Sequence, residues 1–404
     1  MGAPVSDERP AGRHRRPDPT TTADQTAPAR PTVVHLLPYD LARGAQRYAR
    51  ALVDTLQSGP EPEASHVVMT LFAAESAVLR ADVSLGVPRG PMRRLGLDPR
   101  AMLRLRRAIG RLAPIVVVAH GGEAAKYAAL ALPRRVPIVY LRIGTAHRSL
   151  ARRPLSRLLH SHFVNRAAAI AAVSSDVAAE VRDVFGVPSD RIVVIPNARH
   201  ADDFTPSDAR GDSSAAGIIF VGHLDAGKRP DWFVDTVREL KARGTNLDAV
   251  MVGSGPLEES LKSAAGDAGI RMLGRRDDVA DLLASSEIFV FTSLPPGEGM
   301  PGVLIEAGLA GLATVATRVP GAGDVVVDGE TGLLVDVDDK TGLVAAVDRL
   351  ARDQDLRRRM GRAAREHCLN GFTFEATRPM WDDVLARATG GAHETLSGSH
   401  EHGG

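Results

Sequence analysis

Leu294-Pro-Pro-Gly-Glu298-Gly-Met-Pro-Gly302-Val-Leu-Ile-Glu306-Ala-Gly-Leu-Ala310, running on through Gly311-Leu-Ala-Thr-Val-Ala316, is the most strongly patterned stretch of the chain. Its two carboxylates stand eight positions apart, about 12 Å if every residue between them were helical, too far for both to work on one atom. A Gly/Pro-rich turn follows Glu298 and an apolar helical pattern surrounds Glu306, so Glu298 is expected in a loop and Glu306 one to two turns inside a helix. Between them Gly299, Met300, Gly302 and Val303 would offer backbone N–H groups at a helix N-terminus, where a phosphate is favoured. Spacing alone leaves two readings: a grip on a ligand with an anionic middle and hydroxylated ends, or a capped surface helix with two solvated acids.

Working outward, short apolar segments alternate with longer amphipathic ones. Val33 to Leu37, His66 to Phe72, Ile115 to Ala119, Ile138 to Leu141, Ala168 to Val173 and Ile192 to Ile195 read as strands. Helices are expected over Tyr48 to Leu56, Arg100 to Leu112, Glu123 to Leu132 and Val177 to Phe185, the last behind the capping cluster Ser174-Ser175-Asp176. The alternation breaks at the polar stretch Ala201 to Ala216 and then restarts, with strands at Gly217 to Val221, Asp248 to Val252, Arg271 to Leu273, Ile288 to Thr292, Thr314 to Ala316 and Thr331 to Val335. The expected class is α/β with two doubly wound, Rossmann-like domains facing across a cleft. The expected boundaries are a leader over 1–31, a first domain over 32–200, a linker over 201–216 and a second domain over 217–370. A C-terminal helix over 371–389 should pack back on the first domain through Phe372, Phe374 and Trp381, and a tail over 390–404 should be unstructured.

Composition agrees with a globular chain: 44% apolar and 25% charged residues in 404. The net charge of +1 conceals an asymmetry. Between Arg80 and Arg166 there are 18 Lys/Arg against 3 Asp/Glu, and between Ala201 and Lys340 there are 12 against 24. The basic half suggests an anionic partner, either a membrane surface or a polyanionic acceptor, unless its arginines are simply solvated helix faces. With 4% aromatic residues and no stacking platform, nucleic acid is not expected. The single cysteine, Cys368, rules out an internal disulfide and points to a reducing compartment. No run is apolar enough to cross a bilayer, so the expected location is cytoplasmic, with contact at the inner membrane face as the basic half allows.

Three loops fall at the C-terminal ends of expected strands in the second half, where open parallel sheets bind ligands. They are Gly222-His223 through Lys228, whose lysine could meet a phosphate; Gly253-Ser254-Gly255-Pro256; and the opening stretch. Each alone is weak, and the second lacks the third glycine of a dinucleotide fingerprint.

With these residues in view, the chain resembles the retaining GT-B glycosyltransferases of family 4. The acidic pair separated by seven residues is present as Glu298 to Glu306, and the similarity continues through Gly329-Glu-Thr-Gly-Leu-Leu-Val335, with Ile195-Pro-Asn197 to Phe204 and Ala172-Val-Ser174 upstream. The resemblance implies transfer of a sugar from a nucleoside diphosphate sugar, the co-substrate, to an acceptor with retained configuration, without a bound metal or other cofactor. By family analogy Glu306 binds the ribose, Glu298 the donor sugar and the turn at Gly274-Arg275 the base. Lys228 and the helix N-terminus would carry the diphosphate, and His120, which follows a first-domain strand in His120-Gly121-Gly122, would face the reacting centre unless it is a structural histidine. Arg142 and Ser174 are further acceptor-side expectations. Two positions depart from the family pattern: His223 stands where an arginine is usual, and Arg43-Gly44 where paired glycines are usual. Those departures keep a second function class open, a binding protein of this fold that has lost catalysis. A nucleotide-cofactor oxidoreductase is the remaining rival, resting only on the α/β units and Gly253-Ser-Gly255.

Overall fold

A computed structural model describes residues 30–39, 44–58, 63–73, 81–88, 97–145, 154–206, 217–245, 248–295 and 298–390. Expectations for Arg43, most of the leader, residues 207–216 of the linker, the tail beyond 390 and much of the basic stretch lie outside them.

The first half runs β1 (Thr32–Tyr39), α1 (Gly44–Gln57), β2 (Ser65–Phe72), β3 (Val83–Val87), α2 (Pro99–Leu112), β4 (Val116–His120), α3 (Gly121–Ala131), β5 (Ile138–Arg142), α4 (Pro154–Asn165), β6 (Ala169–Ala172), α5 (Ser175–Phe185) and β7 (Ile192–Val194). The strands form one parallel sheet in the order β3-β2-β1-β4-β5-β6-β7. The second half runs β8 (Gly217–Val221), α6 (Pro230–Ala242), β9 (Asp248–Val252), α7 (Glu258–Asp267), β10 (Ile270–Met272), α8 (Val279–Ala284), β11 (Ile288–Phe291), α9 (Gly302–Leu309), β12 (Ala313–Thr317), α10 (Ala322–Val325), β13 (Gly332–Val335), α11 (Lys340–Arg352), α12 (Gln354–Gly371) and α13 (Phe374–Ala388). Its sheet is also parallel, in the order β10-β9-β8-β11-β12-β13. Both orders reverse direction once, between β1 and β4 and between β8 and β11, and at such switch points the loops part and open a crevice.

Local chemistry explains the element ends. Asp98 caps α2 by accepting from the Arg100 N–H at 2.9 Å, with Pro99 at the first helical position. Ser174 caps α5 through the Val177 N–H at 3.2 Å, and Gly186 ends it with φ 66°. Two expected helices begin earlier than their apolar pattern. Gly44 and Gly121 are already helical, because a helix entrance needs no apolar residue and the periodic signal starts a turn late. After β13 the chain forms three helices, interrupted at Asp353, whose side chain caps α12 through the Leu356 N–H, and at Thr373, which caps α13. β3 and α4 are not among the strands and helices named from the pattern.

The chain returns to the first sheet through α13. Trp381 is fully buried and its indole N–H donates to the Tyr48 hydroxyl on α1 at 3.3 Å, while Tyr48 stacks on Phe374 with ring centroids 5.7 Å apart. Arg378 donates to the carbonyls of Thr55 and Ser58 at 3.0 and 2.9 Å, closing the C-terminal end of α1. One continuous apolar cluster joins Ile195, Ala198 and Phe204 to Phe372, Phe374 and Trp381. No helix among the described residues is long and apolar enough to cross a membrane.

Candidate functional site

Glu298 lies in the loop after β11, and Lys228 follows the loop after β8, the two strands that flank the second switch point. The Lys228 ammonium is ion-paired with the Glu298 carboxylate and also sits 5.6 Å from the centre of the Phe291 ring. The Thr292 hydroxyl donates to the Lys228 carbonyl at 2.7 Å, and the Lys228 N–H donates to Asp225 Oδ1 at 3.0 Å, so the lysine backbone is held from both sides. His223, on the same loop, is exposed.

At Gly299 the two halves come into close contact. A Cβ there would stand 2.0 Å from the Ile143 carbonyl oxygen and 2.6 Å from the Gly144 Cα, across the cleft, so only glycine fits. Asn197 reaches over from the first half, its amide donating to the Met300 carbonyl at 3.0 Å, and Met300 is buried. The helix α9 then starts at Gly302 behind Pro301, with no side chain capping its first N–H groups, Gly302 and Val303 among them.

Over that helix entrance lies a residue the sequence did not single out. Arg199 donates to Glu306 Oε1 at 2.8 Å, and its guanidinium is so close to Gly302 that a Cβ there would come within 2.2 Å of Nη2. Its backbone is clamped by the loop before α13: the Arg199 N–H donates to the Phe372 carbonyl at 3.0 Å, and the Phe374 N–H donates to the Arg199 carbonyl at 3.2 Å. The two glutamates of the opening stretch are thus each paired with a cation, Glu298 with Lys228 and Glu306 with Arg199. Beside the second pair opens a cavity of about 660 Å³, within the size range of small-ligand sites, lined by Arg47, Tyr48, Arg199, Arg275, Glu306 and Phe374. The structure therefore brings Arg275 and Glu306 to one cavity, while Lys228 and Glu298 pair with each other and are not among that cavity's lining residues.

Gly253 and Gly255 have a packing reason for being glycine. A Cβ at Gly253 would fall 1.8 Å from the Gly222 carbonyl oxygen, and one at Gly255 would fall 2.5 Å from that of Leu224. The loops after β8 and β9 are spliced together, with the Leu224 N–H donating to the Ser254 carbonyl at 3.0 Å and the Gly253 N–H to that of Gly274 at 2.8 Å. Gly253 has no spare N–H for a phosphate. Gly44 opens α1 beside the first switch point.

His120 ends β4 at the first switch point and is 2% exposed. Burial lowers its pKa to about 3, so near neutrality the imidazole is uncharged. Its Nε2 lies 3.0 Å from Nδ1 of His35, and its own Nδ1 is buried without a hydrogen-bond partner. The two acceptor-side expectations do not hold. Arg142 is 3% exposed, ion-paired with Glu180 at 2.8 Å and stacked 4.8 Å from the Phe185 ring centre, while the Ser174 hydroxyl is spent on the α5 cap. Both face their own domain because a buried arginine and a helix N-cap each require local partners. Further along, Asp176 of α5 accepts from the Gly321 N–H and Asp324 of α10 from the Ser175 N–H, both at 2.9 Å, so two facing helix entrances cap each other across the halves. Among the described residues no group of three His, Cys, Asp or Glu side chains converges where it could hold a metal ion.

Residues 42–202 match the family model described as Glycosyltransferase Family 4, and residues 215–353 match the one described as Glycosyl transferases group 1, together well over half of the chain. The chain is 32% identical over 156 residues to the N-acetyl-alpha-D-glucosaminyl L-malate synthase of Bacillus anthracis, a match covering 37% of this chain and 40% of that protein. It is 32% identical over 245 residues to a D-inositol 3-phosphate glycosyltransferase of Paenarthrobacter aurescens, covering 56% of this chain and 59% of the relative. The chain thus spans about half the length of the curated relatives it matches. Among solved structures, Anabaena HepE in complex with UDP superposes with a TM-score of 0.72 at 17% identity, covering 88% of this chain and 99% of that one, a likeness of fold. Two parallel doubly wound sheets with a crossing C-terminal helix, and family models matching each half, give one conclusion: the chain belongs to the group 1, family 4 glycosyltransferases and has the GT-B fold.

Proposed function

We propose that this chain is a retaining glycosyltransferase that moves a sugar from a nucleoside diphosphate sugar to an acceptor hydroxyl. The observation that carries the reading is the arrangement at α9: two carboxylates either side of an uncapped helix entrance, each holding a cation, next to a cavity of ligand size. In this reading the nucleoside enters the cavity between Arg275 and Glu306, and its ribose hydroxyls take Glu306 from Arg199. The diphosphate crosses the α9 entrance, where Gly302 and Val303 offer N–H groups, and draws Lys228 away from Glu298. Glu298 is then released to the donor sugar, between the second half and His120.

The bond from the anomeric carbon to the leaving phosphate oxygen breaks, and the acceptor oxygen bonds to that carbon on the same face. The acceptor proton passes to an oxygen of the departing diphosphate. His120 is too weak a base to take it, since a pKa of about 3 leaves little driving force near neutrality; it serves as an uncharged hydrogen-bond partner. Lys228, His223 and the helix N–H groups stabilise the charge that develops on the diphosphate, and the reading calls for no metal or other cofactor. The acceptor is drawn from the precursors of glycoconjugates, cell-surface polysaccharides or glycosylated small molecules. The names of the two relatives include small hydroxylated acids, L-malate and inositol 3-phosphate.

A melting screen against UDP, GDP, TDP and ADP and their sugars tests this. A ligand at 100 times its Kd stabilises by about 2.7 kcal/mol, so one nucleotide should raise the melting temperature by several degrees. A screen in which none does would remove the reading. A cytoplasmic reaction at an anionic membrane goes with it, through the exposed basic face of α2, Arg106, Arg107 and Arg111 beside Leu103. Absence of co-sedimentation with anionic vesicles at low salt would discard that part alone.

A further inference from the structure

Behind His120 lie two more histidines, His35 and His66, that the transfer reading does not use. His66 on β2, His35 on β1 and His120 on β4 occupy three neighbouring strands of the first sheet. Nδ1 of His35 is 3.0 Å from Nε2 of His120, and Nε2 of His35 is 3.0 Å from Nδ1 of His66, with both pairs of ring centres 5.3 Å apart. Relative exposures are 0% for His35, 6% for His66 and 2% for His120. At the far end, His66 lines a cavity of about 180 Å³ between β2 and α13, together with Glu63, Arg378 and Asp382.

All three rings are held neutral. Burial, then His120, His66 and Arg50, push the His35 pKa well below its usual range; burial and Arg378 bring His66 to about 4; burial brings His120 to about 3. A neutral imidazole has one N–H and one lone pair. His35 uses both nitrogens on its neighbours, so only two arrangements complete both contacts. In one, every ring carries its proton on Nδ1: His66 donates to His35, His35 donates to His120, and the free Nδ1 of His120 is a donor. In the other, every ring carries its proton on Nε2, the donations run the opposite way, and Nδ1 of His120 is a bare acceptor. Any mixture sets two lone pairs or two N–H groups against each other at 3.0 Å.

We propose that His35 is a positioning residue that locks His66, His35 and His120 into one shared tautomer, so that His66 at the far end of the row helps set whether Nδ1 of His120 donates or accepts at the switch-point end of β4. The value of this for transfer rests on the function proposed above; the lock itself does not. It is the same logic by which a partner behind a metal-bound histidine fixes its tautomer.

The test uses the full chain without ligand, labelled with ¹⁵N-histidine. Long-range ¹H–¹⁵N spectra at neutral pH report the tautomer of each ring, with resonances assigned by single His→Gln variants and exposed His223 as the internal reference. The expected result is a single, identical tautomer at His35, His66 and His120. The remote variant His66→Phe should change the His120 tautomer ratio by about tenfold, the scale of one hydrogen bond. Opposite tautomers at His66 and His120 in the unmodified chain, or a mixture at His120 like that at His223, would overturn the proposal even if the variants fail to fold. So would a folded His66→Phe protein with the His120 ratio unchanged.

Discussion

Lys228→Ala separates the resting role of the Lys228–Glu298 pair from its role in transfer. Glu298 is 14% exposed and Lys228 30%. The pair therefore lies between surface pairs, which contribute about 0–1 kcal/mol, and buried pairs, whose breaking costs about 3–5 kcal/mol because one charge is left uncompensated. Removing the lysine should then destabilise by about 1–3 kcal/mol, a drop of a few degrees in melting temperature. Glu298→Gln in the same chain removes the stranded charge and should restore most of that loss. Transfer should respond differently, because the ammonium then acts on the diphosphate and not on Glu298. Loss of one such stabilising group costs about 10²–10³ in rate, and the second substitution should not return it. The assay pairs a melting curve with initial rates on the sugar nucleotide the screen selects. Wild-type transfer by Lys228→Ala, or recovery of rate together with stability in the double variant, would refute this account of the site.

Arg199→Ala should tighten nucleotide binding. A hydrogen bond to a charged group is worth about 1.5–3 kcal/mol, so freeing Glu306 corresponds to roughly 10–100-fold in Kd by titration calorimetry; weaker binding would mean that the guanidinium serves the ligand instead. Gly299→Ala should lower the transfer rate at least about tenfold while leaving each sheet folded, because the new methyl meets backbone at Ile143 and Gly144 that cannot swing aside. A normal rate would show that the close approach is dispensable. Stability should fall with acid. His66 and His120 hold pKa values of about 4 and about 3 in the folded chain, below the ordinary histidine value, so between about pH 6.5 and 4 the unfolded chain takes up protons that the folded chain refuses. Each ring then costs up to about 1.4 kcal/mol per pH unit on descent, with no contribution above pH 7. A melting temperature that is flat from pH 7 to 5 would contradict the burial of these rings.

Much of the architecture was legible because its signals are local. Strands such as Val33 to Leu37 are short apolar runs bounded by breakers, and helices such as Arg100 to Leu112 carry a buried stripe, here Ala101, Leu105 and Ile109. The acidic pair was legible because its loop and helix are contiguous. Less legible were the reasons for individual glycines. Gly253 and Gly255 look like a phosphate loop in sequence, yet their neighbours are the carbonyls of Gly222 and Leu224, some thirty positions away. Arg142 and Ser174 sit at strand ends as a site residue would, and only the positions of Glu180 and the Val177 N–H show them to be structural.

By itself the sequence determined two α/β units and a pair of glutamates eight positions apart, one in a loop and one on the helix that follows, since these follow from residue type and short-range spacing. That no side chain caps the α9 entrance between them came from the structure. Only the tertiary structure decided which cations those glutamates hold. Arg199 stands 107 positions from Glu306 and Lys228 70 from Glu298, and His35 meets its two partners across strands 31 and 85 positions away. No periodicity links such residues. They meet because two sheets wound to their switch points, and a last helix crossing back to α1, bring distant loop ends together.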